Sequence, residues 1–183
     1  MKTKLFLPLV FASVIIFSGC QKEEDLVINQ RRSSPISDTP VQSRAEPSCE
    51  TTFDLMAGQH FVAGQVIIRN DGDSVYVGFV TNGWEITQTH LYIGDCDGIP
   101  VNGSRNPVPG RFPVSSSFTR GVSEVWYSFP LSSVPVCGCI AAHAVVTNTT
   151  TGQTETAWGG GTRFTNRSWA MYGNYCLCTR MTQ

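Results

Sequence analysis

Two histidines, His90 and His143, each stand inside an apolar stretch of this 183-residue chain, and carboxylates follow or accompany them: Asp95 and Asp97 soon after His90, and Glu155 just before Trp158. Imidazole and carboxylate together form the donor set of a transition-metal site, and also the machinery of general acid–base hydrolysis. Two His and one carboxylate make such a site only if the fold draws them together. The competing reading is structural: each ring buried and neutral, hydrogen-bonded to backbone, to Glu155 or to Tyr92. Residue types favour that second reading, with no metal and no cofactor. No G-x-S-x-G elbow is present for a serine nucleophile. No lysine follows Lys22, so Schiff-base chemistry is excluded from everything beyond it. Trp158 precedes Gly159-Gly160-Gly161. An exposed indole on a flexible bend would stack on a sugar ring or a partner surface, whereas a packed one would not.

Asp95-Cys96-Asp97-Gly98 carries two of the oxygen donors a calcium loop needs, too few without help from other loops. Seven cysteines are present: Cys20, Cys49, Cys96, Cys137, Cys139, Cys176 and Cys178. The last six lie in the part of the chain that reads as a folded domain, and an even number in an exported domain indicates disulfides. Cys137-Gly138-Cys139 and Cys176-Leu177-Cys178 are spaced so that, on strands, each pair puts two thiols on one face. Bonding within a pair would close a tight ring. The spacing favours a bond from each pair to a distant partner, Cys49 or Cys96, and one bond joining the pairs. Zinc is the rival, but metal knuckles prefer Cys-x2-Cys.

These groups must be held by strands. Val62–Arg69 is a β-branched run, and Asn70-Asp71-Gly72-Asp73 is a turn signal. Ser74–Thr81 alternates Val75, Val77 and Phe79 on one face, and Asn82-Gly83 predicts a tight hairpin into Trp84–Ile93, giving a three-stranded antiparallel meander. Residues 94–118 are broken by Pro and Gly and predict a long loop, pinned by Cys96, with room for a short helix. Strands are predicted again at Val122–Leu131, Cys139–Thr147, Thr154–Trp158 and Trp169–Cys178. No convincing 3.6-residue period occurs. Many short strands between turns predict an all-β domain, an antiparallel β-sandwich of Ig-like or jelly-roll-like kind, braced by disulfides, over residues 49–183. Across those residues seven arginines face nine acids, a net charge of −2. That balance argues against nucleic acid as a partner.

The N-terminus reads as an address. Lys2 and Lys4 precede the apolar run Leu5–Phe17, which is too short for a comfortable membrane span. Ser18-Gly19-Cys20 then resembles the lipobox of bacterial lipoproteins. The resemblance implies a signal peptide over 1–19, cleavage before Cys20, and lipidation of its sulfur and new amino group by fatty-acyl chains such as palmitate. Gln21-Lys22-Glu23-Glu24-Asp25 resembles the acid-rich export tag of Bacteroidetes surface lipoproteins, which implies an outer-membrane location facing outward. Residues 26–48 are rich in Ser, Pro, Arg and Gln and predict, with Cys20, a disordered tether over 20–48.

Five ordered blocks carry a further resemblance: Thr89–Gly94, Pro109–Pro113, Ile140–Val146, Glu155–Gly159 and Trp169–Tyr172. They are similar to a β-rich module of secreted and cell-surface bacterial proteins. The likeness spans roughly residues 60–175 and implies export and a sandwich-like domain, without a defined activity. The Cys-x-Cys pairs and Val114, where an aromatic is usual, depart from it. The expected function is a binding or adhesion module without catalysis, for a glycan or protein, using residues 95–118 and 155–168. A hydrolase or metal-dependent enzyme built on His90, His143 and a carboxylate is the alternative, and a purely structural envelope protein is a second.

Overall fold

The structure, a computed structural model, describes residues 50–178. The expected signal peptide and tether, with Cys20 and Cys49, lie outside the described residues. Ten strands follow one another: β1 (Glu50–Ala57), β2 (Phe61–Asn70), β3 (Ser74–Thr81), β4 (Trp84–Gly94), β5 (Val114–Val122), β6 (Glu124–Pro130), β7 (Cys137–Asn148), β8 (Thr154–Gly159), β9 (Thr162–Thr165) and β10 (Ser168–Cys176). Three short 3-10 turns, at Cys96–Gly98, Pro109–Arg111 and Leu131–Ser133, are the only helical pieces among the described residues. None of them is long and apolar enough to cross a membrane.

All pairings are antiparallel. Eight strands run in the order β5-β4-β7-β8-β1-β2-β3-β6, and β10 pairs with β7 and β9. β5 and β6 end the path at opposite sides, yet only Ser123 separates them in the chain. The sheet must therefore curl until its two edges approach. The result is one continuous antiparallel sheet, nearly closed into a barrel-like form. Bulges help it bend. Register shifts occur in β1 between Leu55 and Met56, and in β4 between Ile86 and Gln88.

The alternation that marked β3 in the sequence has a structural outcome: Val75, Val77 and Phe79 are fully buried. They meet Leu55, Val66 and Ile68 from β1 and β2, and Ile86, Leu91, Ile140 and Val146 from β4 and β7, in the main core. β7 differs, because Cys139–Ala144 is buried without a break. Ile140, Ala142 and Ala144 belong to the main core, while Cys139 and Ala141 belong to a second cluster with Ile99, Phe112, Trp158 and Ala170. A strand apolar on both faces needs a cover on each. The second cover is made by the 96–112 segment together with β9 and β10.

Two sequence expectations need correction. Asn82-Gly83 does not close a hairpin: β3 pairs with β2 and β6, and β4 with β5 and β7. Gly83 (φ 71°) turns the chain from one half of the curled sheet to the other. The Thr81 hydroxyl donates to the Trp84 carbonyl at 2.6 Å, and the Thr81 N–H donates to Ser123 at 2.8 Å, which holds that corner. The expected meander therefore stops at β3. The 94–118 loop is also shorter than expected, because β5 starts at Val114, directly after the last proline. Strands β1 and β9 were not anticipated. The Asn70–Asp73 turn does make a hairpin: the Asp71 carboxylate accepts the Ser74 N–H at 3.0 Å, the Asp73 N–H at 3.1 Å and the Tyr76 hydroxyl at 2.9 Å. These bonds, the backbone ones first, hold its pKa below the usual value.

Two disulfides join described residues. Cys137–Cys176 links the two Cys-x-Cys pairs across β7 and β10, and Cys96–Cys139 ties the 3-10 turn after β4 to β7. Cys178 is disulfide-bonded as well.

Candidate functional site

β4 leaves the sheet at Gly94, and the chain then folds back over the outer face of β7. The Tyr92 hydroxyl donates to the Asp95 carbonyl at 2.6 Å, while the Cys96–Cys139 bond clamps the next residue. Burial first, then the Asp95 carboxylate, raises the Tyr92 pKa. Gly98 passes against the Tyr92 ring, where a Cβ would collide with the hydroxyl oxygen. Ile99 is anchored in the second cluster. The chain then projects a small ribbon, Val101 bridging Pro107. At its tip, the Asn102 carboxamide oxygen accepts the Ser104 and Asn106 N–H groups at 3.0 and 3.1 Å. The Arg105 N–H donates to the Asn102 carbonyl at 2.9 Å. Arg105 sits at φ 61°, a left-handed conformation that a non-glycine residue adopts at some cost. Thr165 of β9 donates to the Asn106 side chain at 3.4 Å, which docks the ribbon against the β9–β10 hairpin.

Between this ribbon and the hairpin lies a cleft of about 360 Å³. Cys96, Asp97, Ile99, Val101, Arg105, Phe164 and Tyr172 line it. The lining offers a carboxylate acceptor, a guanidinium with a fork of N–H donors, and two aromatic rings. Phe164 and Tyr172 pack together with centroids 5.0 Å apart. A volume of this order suits a small polar ligand bearing a ring.

Behind the cleft, the rings continue inward. Phe164 stands 6.2 Å from Trp158, Trp158 lies 4.8 Å from His143, and His143 lies 5.4 Å from His90. His90, His143 and Trp158 form one cross-strand row, paired in register across β4, β7 and β8. Of the two readings that its neighbouring glycines left open, Trp158 takes the packed one. It is 6% exposed, covered by Phe112 at 6.3 Å and by Phe164. The triple glycine is a packed turn. Gly160, at φ 142°, passes so close to the Tyr172 backbone that a Cβ would overlap it. Trp158 therefore supports the cleft from behind and cannot stack on a ligand.

The structure brings His90 and His143 together, their Nδ1 atoms 3.4 Å apart. Burial, and then the proximity of His90, pushes the His143 pKa down to about 4, and burial also lowers that of His90. No carboxylate joins them. Glu155 pairs with Val146 and shares its face of β8 with the core residue Ala157, opposite to Trp158. Its carboxylate packs by Gly58 and accepts the Gln153 amide at 2.7 Å. Asp95 and Asp97 are exposed in the loop after β4. Among the described residues no group of three or more His, Cys, Asp or Glu is placed to hold a metal ion.

Of the residues singled out in the sequence, Asp97 lines the cleft, and Cys96 forms part of it through its disulfide. Arg105 and Phe164 were not anticipated. The signal for Arg105 was present: Asn102-Gly103-Ser104-Arg105-Asn106 is a turn sequence carrying a cation inside a Pro-rich segment. Phe164 carried no comparable signal. Compared with protein-family models, curated proteins and solved structures, the chain gave no match.

Proposed function

We propose that this protein is a lipid-anchored outer-surface module that binds a glycan without transforming it. The cleft between the 101–107 ribbon and the β9–β10 hairpin carries the reading. Saccharide recognition calls for ring faces to stack on C–H surfaces, and for charged, planar groups to hydrogen-bond pairs of hydroxyls. Phe164 and Tyr172 supply the first, Asp97 and Arg105 the second. A disulfide and an Asx-type turn fix the ribbon in place, so little ordering entropy is lost on binding. Anchoring rests on Ser18-Gly19-Cys20, and surface display on Gln21–Asp25. The hydrolase alternative needs a carboxylate beside His90 and His143, and Glu155 stands on the other face of its strand.

Two measurements test this. A glycan array probed with the oxidised chain should return a defined class of ligand, whose affinity, followed by titration, falls at least ~tenfold in Arg105→Ala and in Tyr172→Ala. An empty array, or a ligand indifferent to both substitutions, would leave the structural envelope role as the better reading. Separately, Cys20→Ala should move the protein from the detergent phase to the aqueous phase in detergent partitioning of cell extracts. Partition unchanged by that substitution would remove the lipid anchor.

A further inference from the structure

We propose that His90 and His143 together form an open chelate for a borderline divalent cation such as zinc, separate from the cleft. Two imidazole nitrogens bound to one tetrahedral ion, each about 2.0–2.1 Å from it, stand about 3.4 Å apart. The two Nδ1 atoms are 3.4 Å apart, close to that span. Their strands enforce this spacing. His90 and His143 are direct partners in the β4–β7 register, with β7 held in turn by β8 and β10. Trp158 packs the far side of the His143 ring, 4.8 Å between centroids, and limits its rotation. His143 is buried, while His90 is only partly buried, so solvent reaches the pair through His90.

Imidazole is the donor that zinc, nickel and copper share. The described cysteines offer no competition, because all five are in disulfides. The remaining described histidine, His60, lies in the turn between β1 and β2, far along the chain from this row. Two protein ligands leave half of a tetrahedral shell to water or to a donor from a bound molecule. That distinguishes such a site from a closed structural one.

Isothermal titration of zinc chloride into the chelator-stripped, oxidised chain tests the assignment, followed by the ring-nitrogen NMR of the histidines. The expected result is one equivalent bound, with the Nδ1 resonances of both His90 and His143 displaced. His90→Gln should weaken binding more than ~tenfold. Because the His90 ring is partly exposed, this variant keeps its fold, and its circular dichroism should match the parent. His143→Gln should weaken binding to the same degree. Zinc that binds without displacing both ring resonances, or that binds His90→Gln as tightly as the parent, would overturn the proposal. So would a chain that takes up no zinc, which would leave the pair as a plain imidazole–imidazole hydrogen bond.

Discussion

Replacing both partners of the clamp behind the cleft, as Cys96→Ala with Cys139→Ala, should cost about 4 kcal/mol of unfolding free energy and most of the ligand affinity. The first figure follows from chain entropy. The bond joins residues 43 apart, and a loop of that length loses roughly 13 cal/mol/K of unfolded-state entropy on closure. The second follows from geometry. Between Gly94 and Val114 the chain is otherwise held by two 3-10 turns, one isolated bridge, the contacts of Ile99 and Phe112, and single side-chain hydrogen bonds from Tyr92 and Thr165. Without the bond, the segment that presents Asp97 and, on its ribbon, Arg105 loses its fixed end.

The Cys137–Cys176 bond closes a loop of similar length, 39 residues, and its removal as Cys137→Ala with Cys176→Ala should cost a similar ~4 kcal/mol. Its two sulfurs, however, bridge residues already opposite each other in the β7–β10 ladder. The cleft should therefore survive its loss once the protein is kept in folding conditions. Denaturant unfolding and ligand titration on both double variants separate the two effects. Equal losses of affinity would mean that the cleft depends on overall stability and not on the clamp.

Acid should destabilise the fold through His143. In the unfolded chain this group titrates near 6.5, and in the fold near 4. Above pH 6.5 it is neutral in both states and contributes no pH dependence. As pH falls from about 6.5 to about 4, the unfolded chain takes up a proton that the folded one refuses. Stability then drops by about 1.4 kcal/mol per pH unit, roughly 3 kcal/mol in all, before levelling off. His90, shifted in the same direction by burial, adds to the slope. Urea unfolding in chelator-containing buffer between pH 4 and 7.5 measures this, and His143→Gln should flatten the curve. The slope carries the information, since the substitution also disturbs packing against Trp158. A variant as acid-sensitive as the parent would assign the loss to the carboxylates.

Much of the fold was readable because its causes are local. Val75, Val77 and Phe79 alternate, and a half-buried strand has a period of two, so β3 was evident. Asn70–Asp73 made its hairpin because the Asp71 carboxylate satisfies the turn's own N–H groups. The even number of cysteines and the Cys-x-Cys spacing pointed to disulfides, and two are present among the described residues. β1 was missed although Phe53, Leu55 and Ala57 alternate with Thr52, Asp54 and Met56, because an alanine and a methionine blur the pattern.

The sequence by itself determined an all-β chain with cross-linked strands, because alternation, turn chemistry and cysteine spacing act over a few residues. Tertiary structure alone decided which faces were covered. Asn82-Gly83 is a hairpin signal in any sequence, but the inward faces of β3 and β4 supply opposite halves of one core, so the turn became a corner. Trp158 could be exposed or packed as far as its glycines tell, and those glycines let the Tyr172 backbone close over the turn and the 96–112 segment seal the indole. Arg105, Phe164 and Tyr172 share a cleft, although nearly sixty residues separate the first two. Only the docking of two hairpins on the outer face of β7 brings them together.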